Sequence, residues 1–151
     1  MSPPTRDQLL KTANVFLQGF NDFTPEAVTR LGSPNCTYRM GPMCLNQATK
    51  GNDEIKTFVK ALQTITPTFE LKLVEGEEMM VDVEARKVAM HLRSYSPTVA
   101  GLYQNEYIFI IKLSEDGTMV DDVLEFTDSL HSADMLPKMA KACEEAAAKS
   151  V

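Results

Sequence analysis

The hydrophobic period of this chain changes at Pro67, and that change decides most of what the chain can fold into. Before Pro67 apolar residues recur three and four apart, and beyond it they alternate. The first spacing lays a stripe along one side of a helix; the second lays one face of a strand on a core. Leu9, Leu10, Ala13, Phe16, Leu17 and Phe20 predict a first helix, opened by the capping-box pattern Thr5-Arg6-Asp7-Gln8. Thr24-Pro25-Glu26 reads as an N-cap, a proline in the first turn and an acid beside the helix dipole. That second helix runs to about Leu31, ended by Gly32 and Pro34. A short strand is predicted over Cys36–Met40, followed by Gly41-Pro42. Asn52 is expected to cap a third helix carrying Ile55, Phe58, Val59, Leu62 and Ile65, with Pro67 closing it.

Beyond Pro67, Phe69, Leu71 and Leu73 predict one strand, Val88–Ser96 a second and Tyr103–Leu113 a third. Glu115-Asp116-Gly117-Thr118 is a hairpin signal, because Asp-Gly tolerates the positive φ of a tight turn. Val120–Asp128 returns as the last strand, and residues 131–149 predict an alanine-rich, weakly amphipathic helix. Helices first and antiparallel strands afterwards mean α+β, not α/β. The early helices are expected to cover the concave face of a bent antiparallel sheet, leaving a blind pocket between the layers. The 151 residues make one domain, with 136–151 as its helical tail.

Composition removes several function classes. There are 15 basic and 21 acidic residues, a formal charge of −6, which argues against a nucleic-acid partner held through phosphates. No apolar run approaches the roughly 18–20 residues that cross a bilayer, so no membrane partner is expected. The Met1–Asp7 start lacks the apolar segment of a signal peptide, and Cys36, Cys44 and Cys143 form no C-x-x-C pair. A reduced, cytoplasmic compartment fits these features. With only His91 and His131, a multi-histidine metal site is excluded, and there is no glycine-rich phosphate loop. Any catalysis therefore rests on carboxylates, tyrosines, an arginine or a single histidine, working without a metal or other cofactor.

Strand parity selects candidates among these. Tyr103, Asn105, Tyr107, Phe109, Ile111 and Leu113 share one face of the long strand, placing two phenols and an amide in line. They serve either as core-edge aromatics or as pocket groups. Counting outwards from the hairpin sets Glu125 opposite roughly Tyr107 to Ile111, but Leu124 and Phe126 compete with it for the inner face. Arg39, between Tyr38 and Met40, is either exposed or inward and paired with a carboxylate such as Glu125. His91, mid-strand beside Arg93, is more often a satisfied structural residue, and His131 a cap or surface group. Met40 and the other methionines are core filler or soft contacts for a bulky, rigid ligand.

A family resemblance runs through residues 3–136. It is carried in order by Pro-Pro-Thr-Arg-Asp-Gln-Leu-Leu, Phe16-Leu17-Gln18-Gly19-Phe20-Asn21, Ser33-Pro34-Asn35-Cys36 and Leu45-Asn46. The Asn52 helix, Lys87–His91, Gly101–Tyr107, Glu115-Asp116-Gly117 and Glu125–Ser129 complete it. This set resembles the SnoaL-like branch of the nuclear-transport-factor-type cone fold, in the form found in fungal natural-product gene clusters. Members include isomerases of meroterpenoid pathways and the semipinacolase of the brevianamide-type indole alkaloid pathway. The resemblance implies a helix-lidded conical sheet, a homodimer paired through the sheet's outer side, and cofactor-free rearrangement of an oxidised, hydrophobic polycyclic substrate. It also implies an arginine, two tyrosines and a glutamate in the pocket, which here are Arg39, Tyr103, Tyr107 and Glu125. It thereby orients Glu125 inward. Asn105, Phe58, Met40 and His91 are the expected substrate contacts. The meroterpenoid isomerases use a different acid and histidine, and at those places this chain carries Lys60 and Thr127.

Overall fold

A computed structural model describes residues 2–151. Helices α1 (Arg6–Asp22), α2 (Pro25–Thr29) and α3 (Asn52–Gln63) precede all but one of the strands. The strands are β1 (Gly32–Gly41), β2 (Glu70–Leu73), β3 (Met80–Asp82), β4 (Lys87–Thr98), β5 (Gly101–Tyr103), β6 (Glu106–Leu113) and β7 (Val120–Thr127). Helix α4 (Ser129–Lys149) ends the chain. They form one curled sheet in the order β1-β7-β6-β4-β2, with β3 and β5 also on β4. The class is α+β with the helices on the concave side, as expected. One pair departs from the antiparallel pattern: β1 lies parallel to β7.

Local chemistry accounts for the element ends. Thr5 caps α1 by accepting from the Gln8 N–H at 3.2 Å, and Thr24 caps α2 from Ala27 at 3.1 Å. Gly51, not Asn52, precedes α3, and Glu54 reaches back to its N–H. The Asn52 side chain is used elsewhere: its amide donates to Ser33 O at 2.8 Å and accepts from the Tyr38 hydroxyl at 3.1 Å. The strand expected over Tyr103–Leu113 is two strands, broken at Gln104 and Asn105. Here side-chain bonds take over part of the ladder: the Ser94 N–H still donates to the Asn105 carbonyl at 2.9 Å, but the Asn105 N–H goes to Ser94 Oγ and Asn105 Oδ1 takes the Glu106 N–H.

The hairpin after β6 turns at Gly117, whose φ of +72° suits glycine. Leu113 then pairs Val120 while Lys112 pairs Asp122, so Asp121 is the extra residue of a bulge. The bulge reverses parity along β7. Val120 faces inward, and beyond the bulge so do Val123 and Glu125, while Phe126 is exposed on the outer face.

Two apolar clusters fill the concave side. Leu9, Ala13 and Phe16 of α1 pack on Val88, Met90, Phe109 and Ile111 of the sheet. Val28, Val59, Leu62, Tyr103, Met135 and Met139 gather α2, α3 and α4 at the other end. Phe20, Ile55 and Phe69 touch both clusters. The tail helix is thus part of the packing, with Ala142, Cys143 and Ala146 continuing the contact beyond Met139. Among the described residues no helix is long and apolar enough to cross a membrane.

Candidate functional site

A hollow opens between the two clusters, bounded by the sheet, α2, α3 and α4. Its free volume is about 130 Å³, below the roughly 300–1,000 Å³ of a drug-sized ligand site, and it is open at a mouth. Its walls are mostly aromatic and aliphatic, with Phe20, Phe23, Phe58, Phe69 and Phe109 among them. The polar groups reaching it are few: Glu125, Tyr103, Tyr107, Tyr38, Lys50 and Gln47, with Arg39 at the mouth.

Glu125 sits in the wall with Phe109 opposite it on β6 and Met40 opposite it on β1. These apolar flanks leave the side chain half-buried and limit the water around its carboxyl. Burial raises its pKa from 4.5 to about 7, and the positive charge of Lys50 offsets only part of that rise. Among the described residues the carboxyl makes no side-chain hydrogen bond. A carboxyl of this kind exchanges a proton near neutral pH, the property a general acid or base needs.

Tyr103 and Tyr107 stand beside it on the inner face of β5 and β6, both buried. Their hydroxyls are 3.2 Å apart. Ser94 Oγ lies 2.8 Å from the Tyr107 hydroxyl, and Asn105 Nδ2 donates to the Tyr103 hydroxyl at 2.9 Å. Burial first, and then the nearby Glu125 charge, push Tyr103 up to about 12; burial and the charges of Tyr103 and Glu125 drive Tyr107 up as well. Both are therefore neutral donors at physiological pH. Phe69 stacks on the Tyr103 ring on one side at 6.4 Å, and His131 is tilted against it at 5.4 Å.

The structure separates the sequence candidates. Glu125, Tyr103, Tyr107, Met40 and Phe58 line one hollow. The Arg39–Glu125 pair is not formed. Arg39 reaches the mouth of the hollow, but its guanidinium binds Asp122 in a fork, Nε to Oδ1 at 2.9 Å and Nη2 to Oδ2 at 2.6 Å. Parity is the reason: Tyr38 and Met40 point inward beside Val123 and Glu125, so Arg39 points outward beside Leu124. The side chain is 48% exposed. His91 does not meet the hollow either. It lies on the outer face between Glu106 (2.6 Å) and Glu77 (3.3 Å), which raise its pKa. Asn105 is buried behind the tyrosines, bonded to Tyr103, Ser132 and the Glu106 N–H. Lys60 is exposed on α3, and Thr127 is buried against Ser132 at 3.3 Å.

Sequence reasoning missed Lys50, Ser94 and Ser132. Lys50 bridges β1 through backbone bonds to Tyr38 at 2.8 and 2.9 Å, and its ammonium lies 5.7 Å from the Phe58 ring centre. The alternation Val88, Met90, Leu92, Ser94 was a signal for an inward serine. Lys50 sits in an irregular segment with no periodicity to place it.

No family model matches the chain. A relative, the austinoid biosynthesis clusters protein H of Penicillium brasilianum, is 38% identical over 127 residues, 83% of this chain and 86% of that protein. The solved structure of the BvnE pinacolase from Penicillium brevicompactum matches with a TM-score of 0.86 at 38% identity, covering 90% of this chain and 93% of that one. A putative SnoaL-like polyketide cyclase of Shewanella denitrificans OS-217 matches at a TM-score of 0.70 over 87% of this chain and 98% of that one. At 10% identity it shares the fold alone.

Proposed function

The chain belongs to the family of the austinoid-cluster H protein and the BvnE pinacolase, with a SnoaL-like fold, and on that premise we propose that it is a cofactor-independent isomerase of an oxidised polycyclic natural product. The observation that carries this reading is the pairing, in one aromatic hollow, of a carboxyl that titrates near neutrality with hydroxyls that stay protonated. One group accepts a proton and another donates one, which is what a rearrangement without net redox change requires.

The reaction proposed is a semipinacol-type 1,2-shift of a hydroxyindolenine-like alkaloid. Glu125 accepts the proton of the substrate hydroxyl. The oxygen lone pair closes to a carbonyl, the neighbouring carbon–carbon bond migrates with its electrons to the imine carbon, and the imine π pair ends on nitrogen. A tyrosine hydroxyl donates to that nitrogen, so the proton lost at oxygen is matched by one gained at nitrogen and the product is an isomer. General acid–base help of this kind is worth roughly 10²–10⁴-fold. The walls hold one migrating geometry of an already reactive substrate. The binding partner is thus a hydrophobic small molecule.

The second reading, the meroterpenoid rearrangement implied by the resemblance, draws on the austinoid-cluster relative. Against it, neither Lys60 nor Thr127 lines the hollow. The proposal includes a homodimer through the sheet's outer side, where Ile108 pairs Phe126 and Ile110 pairs Leu124 as an apolar square. Ile108 is 41% and Phe126 49% exposed.

The test is incubation of the purified protein with a freshly oxidised 3-hydroxyindolenine alkaloid and, separately, with an oxidised meroterpenoid. A product distribution differing from the spontaneous one, and returned to it by Glu125→Gln, supports the reading. Spontaneous ratios with both substrates, despite binding, would make the protein a carrier.

A further inference from the structure

We propose that the hydroxyls of Ser94, Tyr107 and Tyr103 form a hydrogen-bond chain of one direction, which makes Tyr103 the proton donor of the hollow and Ser94 and Asn105 its positioning residues. Two donors have a direction that backbone geometry settles.

The Asn105 N–H donates to Ser94 Oγ at 3.1 Å. The Glu106 N–H donates to Asn105 Oδ1 at 2.9 Å, which fixes the orientation of the Asn105 amide. Its Nδ2 hydrogens therefore point to Tyr103 and to Ser132 Oγ, both at 2.9 Å. Ser94 is 1% exposed. Among the described residues its Oγ has two partners, the Asn105 N–H and the Tyr107 hydroxyl. The first already donates. The Ser94 proton thus has one acceptor, Tyr107, and the opposite arrangement would bury a hydroxyl hydrogen with no partner. Tyr107, accepting from Ser94, passes its own proton to the one remaining neighbour, Tyr103, 3.2 Å away.

Tyr103 then accepts twice, from Tyr107 and from Asn105. Among the described residues it has no acceptor for its own proton, and Tyr103 lines the hollow that Glu125 also lines. The two donors behind it stabilise negative charge on the phenol oxygen when its proton moves towards substrate. Tyr107, by contrast, is a relay whose proton is committed. The roles separate: Tyr103 donates, Glu125 accepts, and Ser94 and Asn105 act through the tyrosines without touching substrate.

The direction of the chain stands on geometry alone, whereas the donor role rests on the acid–base reading above. Two measurements keep them apart. Neutron diffraction from crystals exchanged into D₂O should show the Ser94 deuteron on the line to Tyr107, that of Tyr107 on the line to Tyr103, and that of Tyr103 directed into the hollow. A Tyr103 deuteron on the line to Tyr107 would overturn the proposal. In turnover of the hydroxyindolenine substrate, Ser94→Ala should lower kcat about tenfold with KM unchanged, the order expected for one lost hydrogen bond. Ser94→Thr, which keeps the hydroxyl, should restore most of it. An unchanged kcat in Ser94→Ala, or equal losses in both variants, would remove Ser94 from the machinery. Absence of turnover in the unaltered protein would sink the acid–base reading while the neutron map still decides the direction.

Discussion

Replacing Glu125 by glutamine tests the electrostatics of the hollow without any substrate. In the unfolded chain the carboxyl releases its proton near 4.5, and in the folded protein near 7. The native state therefore holds the proton more tightly, and stability falls as pH rises from about 4.5 to about 7. Below that window both states are protonated and there is no penalty; above it both are ionised and the penalty is complete. At about 1.36 kcal/mol per pH unit the interval amounts to about 3 kcal/mol. Glutamine is nearly isosteric with the protonated acid and does not titrate. Urea unfolding at pH 4.5, 6, 7 and 8.5 should therefore give curves for the protein and for Glu125→Gln that nearly coincide at the acid end. They should separate to about 3 kcal/mol at pH 8.5, with the variant more stable. Curves that stay parallel across the range would show that Glu125 ionises freely, and the account of a desolvated carboxyl would be wrong.

Three further outcomes follow from the packing. Tyr103→Phe leaves an Asn105 N–H and the Tyr107 hydroxyl without their acceptor, and should cost about 1–3 kcal/mol in urea unfolding at neutral pH. A loss under half a kcal/mol would place water or another acceptor there. Gly117→Ala meets both a φ of +72° and the Pro4 Cβ at 2.7 Å, so it should destabilise by about 1–3 kcal/mol and lower Tm; a neutral result would show that Pro4 yields freely. Ile108→Lys and Phe126→Lys place charge on the exposed apolar square and should shift the species seen by light scattering from dimer to monomer with the fold retained by circular dichroism. A monomer before substitution would refute the outer-face pairing.

The helices, the strand run and the Asp-Gly hairpin are legible in the sequence because each rests on local rules of spacing and turn chemistry. The parallel placement of β1 beside β7 is not, since nothing local says which edge an isolated strand joins. The facing of Glu125 depended on the bulge at Asp121. An unbulged hairpin would have put Leu124 and Phe126 inside, and no residue type marks the extra position. For Arg39 the residues alone leave two readings, exposed or paired inward, and alternation with Cys36 and Tyr38, both buried, favours the outward one that the structure shows, with Asp122 as the partner in place of Glu125. Met80–Asp82 was missed because three residues are too few for any period to show.

The outward turn of Arg39 has a chemical consequence. A guanidinium within hydrogen-bond reach of Glu125 would hold that carboxyl below the ordinary carboxylate range, as Arg39 does for Asp122. Such a glutamate would be ionised at every working pH and would be a weak base. Asp122, one position past the bulge on β7, takes the guanidinium on the outer face, and Thr37 Oγ1 donates to the same carboxylate at 2.6 Å. The hollow is left with Lys50, a cation shared with the Phe58 ring, which tempers the Glu125 shift without cancelling it. Sheet parity thus sorts the two carboxyls: Asp122 in a fully formed ion pair where water can screen it, and Glu125 unpaired where desolvation tunes it to neutral pH. The same bulge that brings Asp122 to Arg39 brings Glu125 to the tyrosines, so one extra residue in β7 sets both.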